Sequence, residues 1–592
     1  MNRLLKTRDR LRDLSPRQRA AILGFLLLAL NILLYSPSLK FGFYLDDHRL
    51  ITNNTRIVNL PAFLESWDEL YFRFPDFPFL HYWRPFSMFT FMVDYQVWGL
   101  NPSGYHLLNL LLNALAALFL FLIFREVNGR ETTALVVALA YSFHPAKVSA
   151  VTWISGRTDL LAALLVFMSV YFYQRFLRGH TLWPYLAAIL AFILGLLSKE
   201  IVFLLPFFLL GMVLYYRFIK DQGERSGRWL RRQLFWLVPP LILDGVYLAI
   251  HRSITGIGQG FFRIGIDELL VSLKALGVYL RLILVPFTRS PYYYMQDLQQ
   301  HGTLYLILAL AFLGFLVLLI TRLRDKFPHT LFAGLFLLFL APLLNLYIMP
   351  SYPKILPRFA MIATVFAGSL YFETGELLSH RNLRRVYRIF LVLFFALMAI
   401  KVVQFQPYFQ DDETNIRRRL SSTVEDVPLL SQKAIYAMKR GEFLQALAYA
   451  DQALLEDQRD PWIDNADQIY NIRANILLLM GRIEEARHLI HRLIRTTDRE
   501  DIRYYARILL AKTFEKQGDL PRALKTLREL DQYGDHIMTL KQKIVISARM
   551  GDFSRARALL QKLEKLNPNR EEWENLKEYI DILEDPSADR SP

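Results

Sequence analysis

From Ala20 to Phe405 the apolar residues fall into successive blocks, many near 20 residues long, and after Gln406 no such block occurs. A helix of about 20 residues, rising about 1.5 Å per residue, crosses the roughly 30 Å of hydrocarbon in a bilayer. A chain patterned this way is expected to be all-α: a polytopic membrane domain followed by a soluble tail. That organisation excludes a soluble enzyme, a secreted disulfide scaffold and a disordered chain. The sequence has no Cys, which also removes thiolate metal sites.

Charge divides along the same boundary. The formal net charge is +16, and because the tail over 406–592 is close to balanced, the excess lies in the membrane half. A pI near 9.6 can signal nucleic-acid binding. Here the basic residues crowd short inter-helix loops, where they set topology, so no nucleic-acid partner is expected.

Residues 1–19 form a basic, cytoplasmic N-terminus ahead of the apolar run Ala20–Tyr35. That run lacks a small-residue cleavage site and is expected to remain as the first span. Further spans are expected at 105–124, 132–143, 158–176, 182–197, 201–219, 233–251, 302–320, 329–348, 358–372 and 389–405. Basic clusters mark the inside: Arg125 and Arg130, Arg175 and Arg178, Arg217 to Arg232, Arg322 to Lys326, and Arg381 to Arg388. The opposite loops are 37–104, 144–157, 198–200, 252–301 and 349–357. The block 268–286 carries Lys274 and Arg281 on one helical face, and charges at mid-membrane are costly. Reading it as interfacial or re-entrant gives about eleven crossings in 20–405 and places the tail, 406–592, in the periplasm or a lumen.

The tail repeats itself. Gly441, Gly481, Gly518 and Gly551 each open a short motif with an alanine five positions on: Ala446, Ala486, Ala523 and Ala556. Their spacing is close to the roughly 34 residues of tetratricopeptide repeats, in which glycine turns between two helices and alanine lets them approach. Asn567-Pro568 is expected to end the last helix. Such a solenoid offers a concave surface to a protein or peptide partner.

The first outer loop, 37–104, is longer than a connector requires. It opens with Asp46 and Asp47, adjacent acids beside a membrane surface. Mutual repulsion and partial desolvation raise at least one pKa, which suits a group that takes a proton from an attacking hydroxyl. The other outer loops and span ends hold Arg84, His106, Asn109, His144, Arg157, Lys199, Glu200 and Arg358. Several cations gathered near an acid pair suit an anionic substrate such as a phosphate at headgroup level. The histidines show no close-spaced ligand pattern, so no metal site is expected. No phosphate-cradling glycine loop, nucleophile elbow or H-E-x-x-H occurs, which argues against ATP-driven and serine-hydrolase chemistry.

Taken in order, these residues are familiar. Phe43-Tyr44-Leu45-Asp46-Asp47, Tyr82-Trp83-Arg84-Pro85, Gly104-Tyr105-His106-Leu107-Leu108-Asn109, His144-Pro145, Gly156-Arg157-Thr158-Asp159 and Leu197-Ser198-Lys199-Glu200 resemble the TMTC-type protein O-mannosyltransferases. The chain departs from their pattern at Lys147 and Ser149. The resemblance implies a GT-C glycosyltransferase, here a bacterial relative in the inner membrane, that takes a sugar from a polyprenyl-phosphate donor and needs no certain cofactor. It implies that Asp46 or Asp47 is the base, with Asp46 favoured, and that Arg157, Lys199 and Arg358 hold the donor phosphate. Arg84, His106, Asn109, His144 and Glu200 would shape the sugar and acceptor pocket, and the repeats would engage a protein or peptide. Two other classes compete: a membrane-anchored repeat scaffold with an inactive membrane half, and a lipid-sugar or glycan transporter with its acids at mid-membrane.

Overall fold

The structure is a computed structural model that describes residues 14–67, 82–179, 181–221, 226–255, 266–288, 290–291, 295–340, 357–420, 427–458, 466–497, 499–533, 537–566 and 570–585. The first part of the basic N-terminus, stretch 68–81 of the first outer loop, stretch 256–265 of a later one, the end of span 329–348, the loop 349–356 and Asn567-Pro568 lie outside the described residues. Every regular element among the described residues is helical.

The first span, Pro16–Tyr35, starts where its sequence supplies caps. The Ser15 hydroxyl accepts from the Gln18 amide and the Gln18 side chain accepts from the Ser15 amide, with proline at the first helical position. The axis of the domain is Pro102–Asn128, capped by Asn101 and ended by Gly129 in a left-handed conformation (φ 74°). At 27 residues it is about 40 Å long, enough to join both membrane surfaces. Pro16–Tyr35, Glu131–Phe143 and Arg157–Gly179 pack around it, and Leu182–Leu196 lies along the last of these. Large apolar side chains that are not buried, such as Phe25, Leu33, Ile242, Val317 and Val392, lie on spans and suit a surrounding of lipid.

Among the described residues seven helices are long and apolar enough to cross a membrane: 16–40, 102–127, 154–179, 200–220, 227–254, 301–321 and 381–409, each overlapping an expected span. Glu131–Phe143 and Pro145–Thr152 form one bent pair, broken by 49° at the proline. Leu182–Leu196 and Pro328–Phe339 are shorter apolar helices. The expected span 358–372 is instead two 3-10 turns, Pro357–Ala360 and Ile362–Thr364, followed by the 12-residue helix Val365–Glu376. The expected interfacial block is the helix Ile266–Leu284, packed along Met295–Thr321.

The two ends of the central helix differ in chemistry. At the Asn128 end, Arg19 pairs with Glu131 (3.3 Å) and Arg175 and Arg178 pair with Glu126, so the basic loops converge there. At the Pro102 end, the loops carrying the acids and the remaining cations converge.

The tail is a run of antiparallel helices from Val427–Lys439 to Arg570–Glu584. Gly441, Gly481, Gly518 and Gly551 all sit at φ 77–79° in the turns within pairs, where glycine carries no steric penalty. Ala446, Ala486, Ala523 and Ala556 are each 0% exposed, so close approach of the helices depends on their small side chains.

One close contact in the membrane half is testable. A Cβ on Gly277 would lie 2.0 Å from the Tyr305 carbonyl oxygen, whereas one on Gly245 would meet nothing within 4 Å. Gly277→Ala is expected to destabilise by about 1–3 kcal/mol, and Gly245→Ala to be neutral or stabilising by up to about 1 kcal/mol. Thermal unfolding in detergent distinguishes the two.

Candidate active site

The acid pair lies in a tight reversal just beyond the first span. Tyr44 is buried with its ring edge-on to Trp153 (5.6 Å) and Phe409 (6.1 Å), and its carbonyl accepts from the Trp153 indole (2.9 Å). Leu45 follows at φ 47°, the one non-glycine residue at positive φ among the described residues. That conformation costs about 1–2 kcal/mol for a residue with a Cβ. It persists because both flanks are bonded: the Leu45 amide donates to Asp412 Oδ1 and the Tyr44 amide to Asp47 Oδ2, each at 3.0 Å.

The reversal gives the adjacent acids different surroundings. Asp47 is fully buried and accepts from the Tyr44 amide, the Ser155 amide (2.7 Å) and the Ser155 hydroxyl. Burial pushes its carboxyl up to about 7; the Ser155 and Tyr44 bonds pull it back, and the Asp46 charge adds to the rise. Asp46 is only partly buried and makes no hydrogen bond among the described residues. Burial raises its pKa as well, opposed by the charges of Arg49 and Arg358.

Arg358 links this acid to a cation cluster. Its guanidinium lies 4.6 Å from the centre of the Trp153 ring, and its Nε is 3.5 Å from Asp159 Oδ2. The other oxygen of Asp159 pairs with Lys199. Burial lowers the pKa of Lys199, as do the Arg84 and Arg358 charges, against the pull of Asp159. Beside them Arg84 forms a two-pronged pair with Glu200, at 2.9 and 2.8 Å. Backbone bonds hold these loops in register, with the Phe86 amide donating to the Leu197 carbonyl at 3.0 Å. Three cations therefore share two carboxylates, and of the three Arg358 is the one whose charge acts on Asp46. No nitrogen of Arg358 makes a hydrogen bond among the described residues.

Four residues expected at the site are buried and engaged within the helical packing. The Arg157 guanidinium is fully buried, paired with Asp94 at 2.6 Å and bonded to Asn109 Oδ1 and the Tyr105 carbonyl, each at 2.9 Å. It is enclosed rather than presented to a phosphate. Asn109 spends its amide on the carbonyls of Val151, Trp153 and Ile154, fixing the turn ahead of Arg157. His144 caps the next turn through Nδ1 and meets the Ile283 carbonyl at 3.1 Å through Nε2. His106 is fully buried, edge-on to Phe41 (6.2 Å) in the segment that leads to the acids.

Other residues prove central without having been singled out. Asp159, Ser155 and Trp153 lie in or beside the glycine-arginine motif, where an acid between two basic loops was the available signal. Asp94 and Asp412 had no local signal. Among the described residues no group of three or more His, Asp or Glu is placed to hold a metal ion. A cavity of about 490 Å³ opens at the opposite, basic end, bordered by Arg125, Glu126, Arg178, Lys220 and His329. It is remote from the acids and takes no part in this site.

No protein-family model matches the chain. Curated proteins do. Protein O-mannosyl-transferase Tmtc1 of Drosophila melanogaster is 28% identical over 174 residues, covering 29% of this chain and 20% of that protein. Protein O-mannosyl-transferase tmtc2 of Xenopus laevis is 32% identical over 163 residues, 26% of this chain and 19% of its own length. Human Protein O-mannosyl-transferase TMTC4 is 24% identical over 193 residues, 28% of this chain and 26% of its own length. The chain is similar to the TMTC-type O-mannosyltransferases. It spans about a fifth to a quarter of the length of these relatives, and with its apolar helices it is an integral membrane protein.

The Arg157–Asp94 pair makes a clear prediction. Asp94→Asn leaves a buried guanidinium without its counter-charge and is expected to cost about 3–5 kcal/mol of stability. Glu131→Gln, which weakens its solvent-accessible pairs with Arg19 (37% exposed) and Arg125, is expected to cost less than about 1 kcal/mol. Thermal unfolding of both variants checks the difference.

Proposed function

We propose that the chain is an inverting glycosyltransferase that moves a sugar from a polyprenyl-phosphate donor to an acceptor hydroxyl on the outer side of the membrane. Mannose and a protein hydroxyl acceptor, taken as Ser or Thr, follow the activity in its relatives' names, protein O-mannosyl-transferase. The observation that carries the reading is Trp153, whose indole bonds the Tyr44 carbonyl in the turn that carries the partly exposed Asp46 and whose ring lies against Arg358, itself joined through Asp159 to Lys199.

In this reading Asp46 takes the proton of the acceptor hydroxyl as its oxygen attacks the anomeric carbon. The bond from that carbon to the lipid phosphate breaks on the opposite face, inverting the centre. The phosphate leaves with the electron pair, and Arg358 and Lys199 stabilise the charge that grows on it. Asp47, buried and bonded on both oxygens, positions the turn and leaves proton transfer to its neighbour. Arg84 and Glu200 brace the loop carrying Lys199. The soluble tail lies on the same side and brings the acceptor or a partner protein.

The test uses purified protein, radiolabelled polyprenyl-phosphate mannose and a Ser/Thr peptide. Asp46→Asn is expected to lower turnover by about 10²–10⁴-fold, and Arg358→Gln by about 10²–10³-fold. The pH profile gives an independent check. Asp46 acts ionised and its pKa is raised, so activity falls as pH drops through a value above the usual carboxylate range. Arg49 holds that value down, so Arg49→Gln moves the acid limb upward. Wild-type turnover in Asp46→Asn would sink the assignment.

A further inference from the structure

The mechanism above leaves one strained element unexplained. Leu45, between the two anchoring tyrosine and aspartate residues, holds φ 47° although glycine would hold it without cost. What fixes it comes from the far end of the membrane half. Asp412, the first residue of the helix Asp412–Leu420, accepts from the Leu45 amide through Oδ1 (3.0 Å), and its Oδ2 lies 3.5 Å from His48 Nε2.

This contact belongs to a continuous clamp. The Gln406 side chain donates to the Leu34 carbonyl (2.9 Å) at the end of the first span. The Phe409 ring packs on Tyr44 (6.1 Å), and the Gln410 carbonyl accepts from the Gly42 amide (2.9 Å). The chain leaving the last span is thus laid along the segment that leads to the acids. Its helix then packs against Val427–Lys439, the first helix of the soluble tail. Lys439 is the other charge felt by both His48 and Asp412.

We propose that Asp412 is a positioning residue for the acid turn, and that through it the seating of the soluble tail sets where Asp46 stands. The inference rests on the glycosyltransferase reading above. Asp412 touches no substrate; it acts by holding the Leu45 backbone in its left-handed conformation. A tail whose first helices shift on binding a protein would move Asp412 and with it the base, so partner binding and turnover are coupled.

Four variants test this in the full-length protein, with labelled polyprenyl-phosphate mannose and a Ser/Thr peptide. Asp412→Ala removes the acceptor and is expected to lower kcat by about 10- to 100-fold with the donor KM within about twofold, because a base out of place costs turnover and not binding. Asp412→Asn keeps an oxygen for the Leu45 amide and is expected to stay within about threefold of wild type. Adding Leu45→Gly to Asp412→Ala is expected to restore most of the loss, since glycine adopts the turn unaided. A role in docking the tail alone would show no such rescue. Asp46→Asn, run in parallel, reports on the underlying reading.

Wild-type kcat in Asp412→Ala, with Asp46→Asn inactive, overturns this inference and leaves the function standing. So does a loss in Asp412→Ala that Leu45→Gly fails to recover. Should Asp412→Ala not fold, Asp412→Asn decides: full loss there assigns Asp412 a role through its charge and contradicts backbone positioning. Activity in Asp46→Asn overturns the function itself.

Discussion

Asp47 and its three donors hold the candidate site together. A carboxylate with no exposure is costly to bury, and here the Tyr44 amide, the Ser155 amide and the Ser155 hydroxyl supply the stabilisation that water would otherwise give. Because those donors come from two segments far apart in sequence, the carboxylate ties the turn after the first span to the turn before Arg157. The distance from Asp46 to the cations follows from that tie. Trp153, bonded to the Tyr44 carbonyl on one side and stacked beneath Arg358 on the other, fixes the same spacing from the opposite direction.

Beneath this layer the scaffold buries two cations, Arg157 and Lys147, each with partners of its own. Arg157 has Asp94, Asn109 and the Tyr105 carbonyl, with the Phe91 ring beneath it at 4.6 Å. Lys147, also fully buried, donates to Asn113 (2.7 Å) and lies 3.7 Å from the Tyr141 ring centre. Asn113 in turn bonds Asn31, and Asn31 bonds Ser142, joining two helices to the central one. In a bilayer, where lipid tails drive no helix association by apolar burial, such polar contacts help to select one packing. They hold the helix ends that carry the loops of the candidate site.

Much of this was legible in the sequence because its signals are local or periodic. The apolar blocks located the spans, the glycine and alanine spacing located the paired helices of the tail, and the adjacent acids marked the first outer turn. The basic residues singled out in the loops included Lys199 and Arg358, which the fold brings together on Asp159. What could not be read was which cation each carboxylate claims. Arg157 and Arg358 look equivalent as isolated arginines following a glycine or proline; only the folded chain brings Asp94 to one and lays the other against Trp153 and Asp159. The failed span at 358–372 has a similar cause. Its apolar composition passes for a crossing, yet Pro357 and the turns around Arg358 break the helix so that the arginine can reach Trp153 and Asp159. Asp412 was invisible for the simplest reason, since a tail residue returning to the first loop leaves no pattern in its own neighbourhood.

An acid at one membrane surface, opposed by cations that a single aspartate gathers, is the arrangement on which the functional account stands. A structure with a non-transferable polyprenyl-phosphate sugar analogue bound tests it most directly. The account predicts phosphate oxygens within hydrogen-bonding distance of Arg358 and Lys199, and the anomeric carbon between that phosphate and the Asp46 carboxylate. A donor bound elsewhere, with its phosphate touching neither cation, would contradict it.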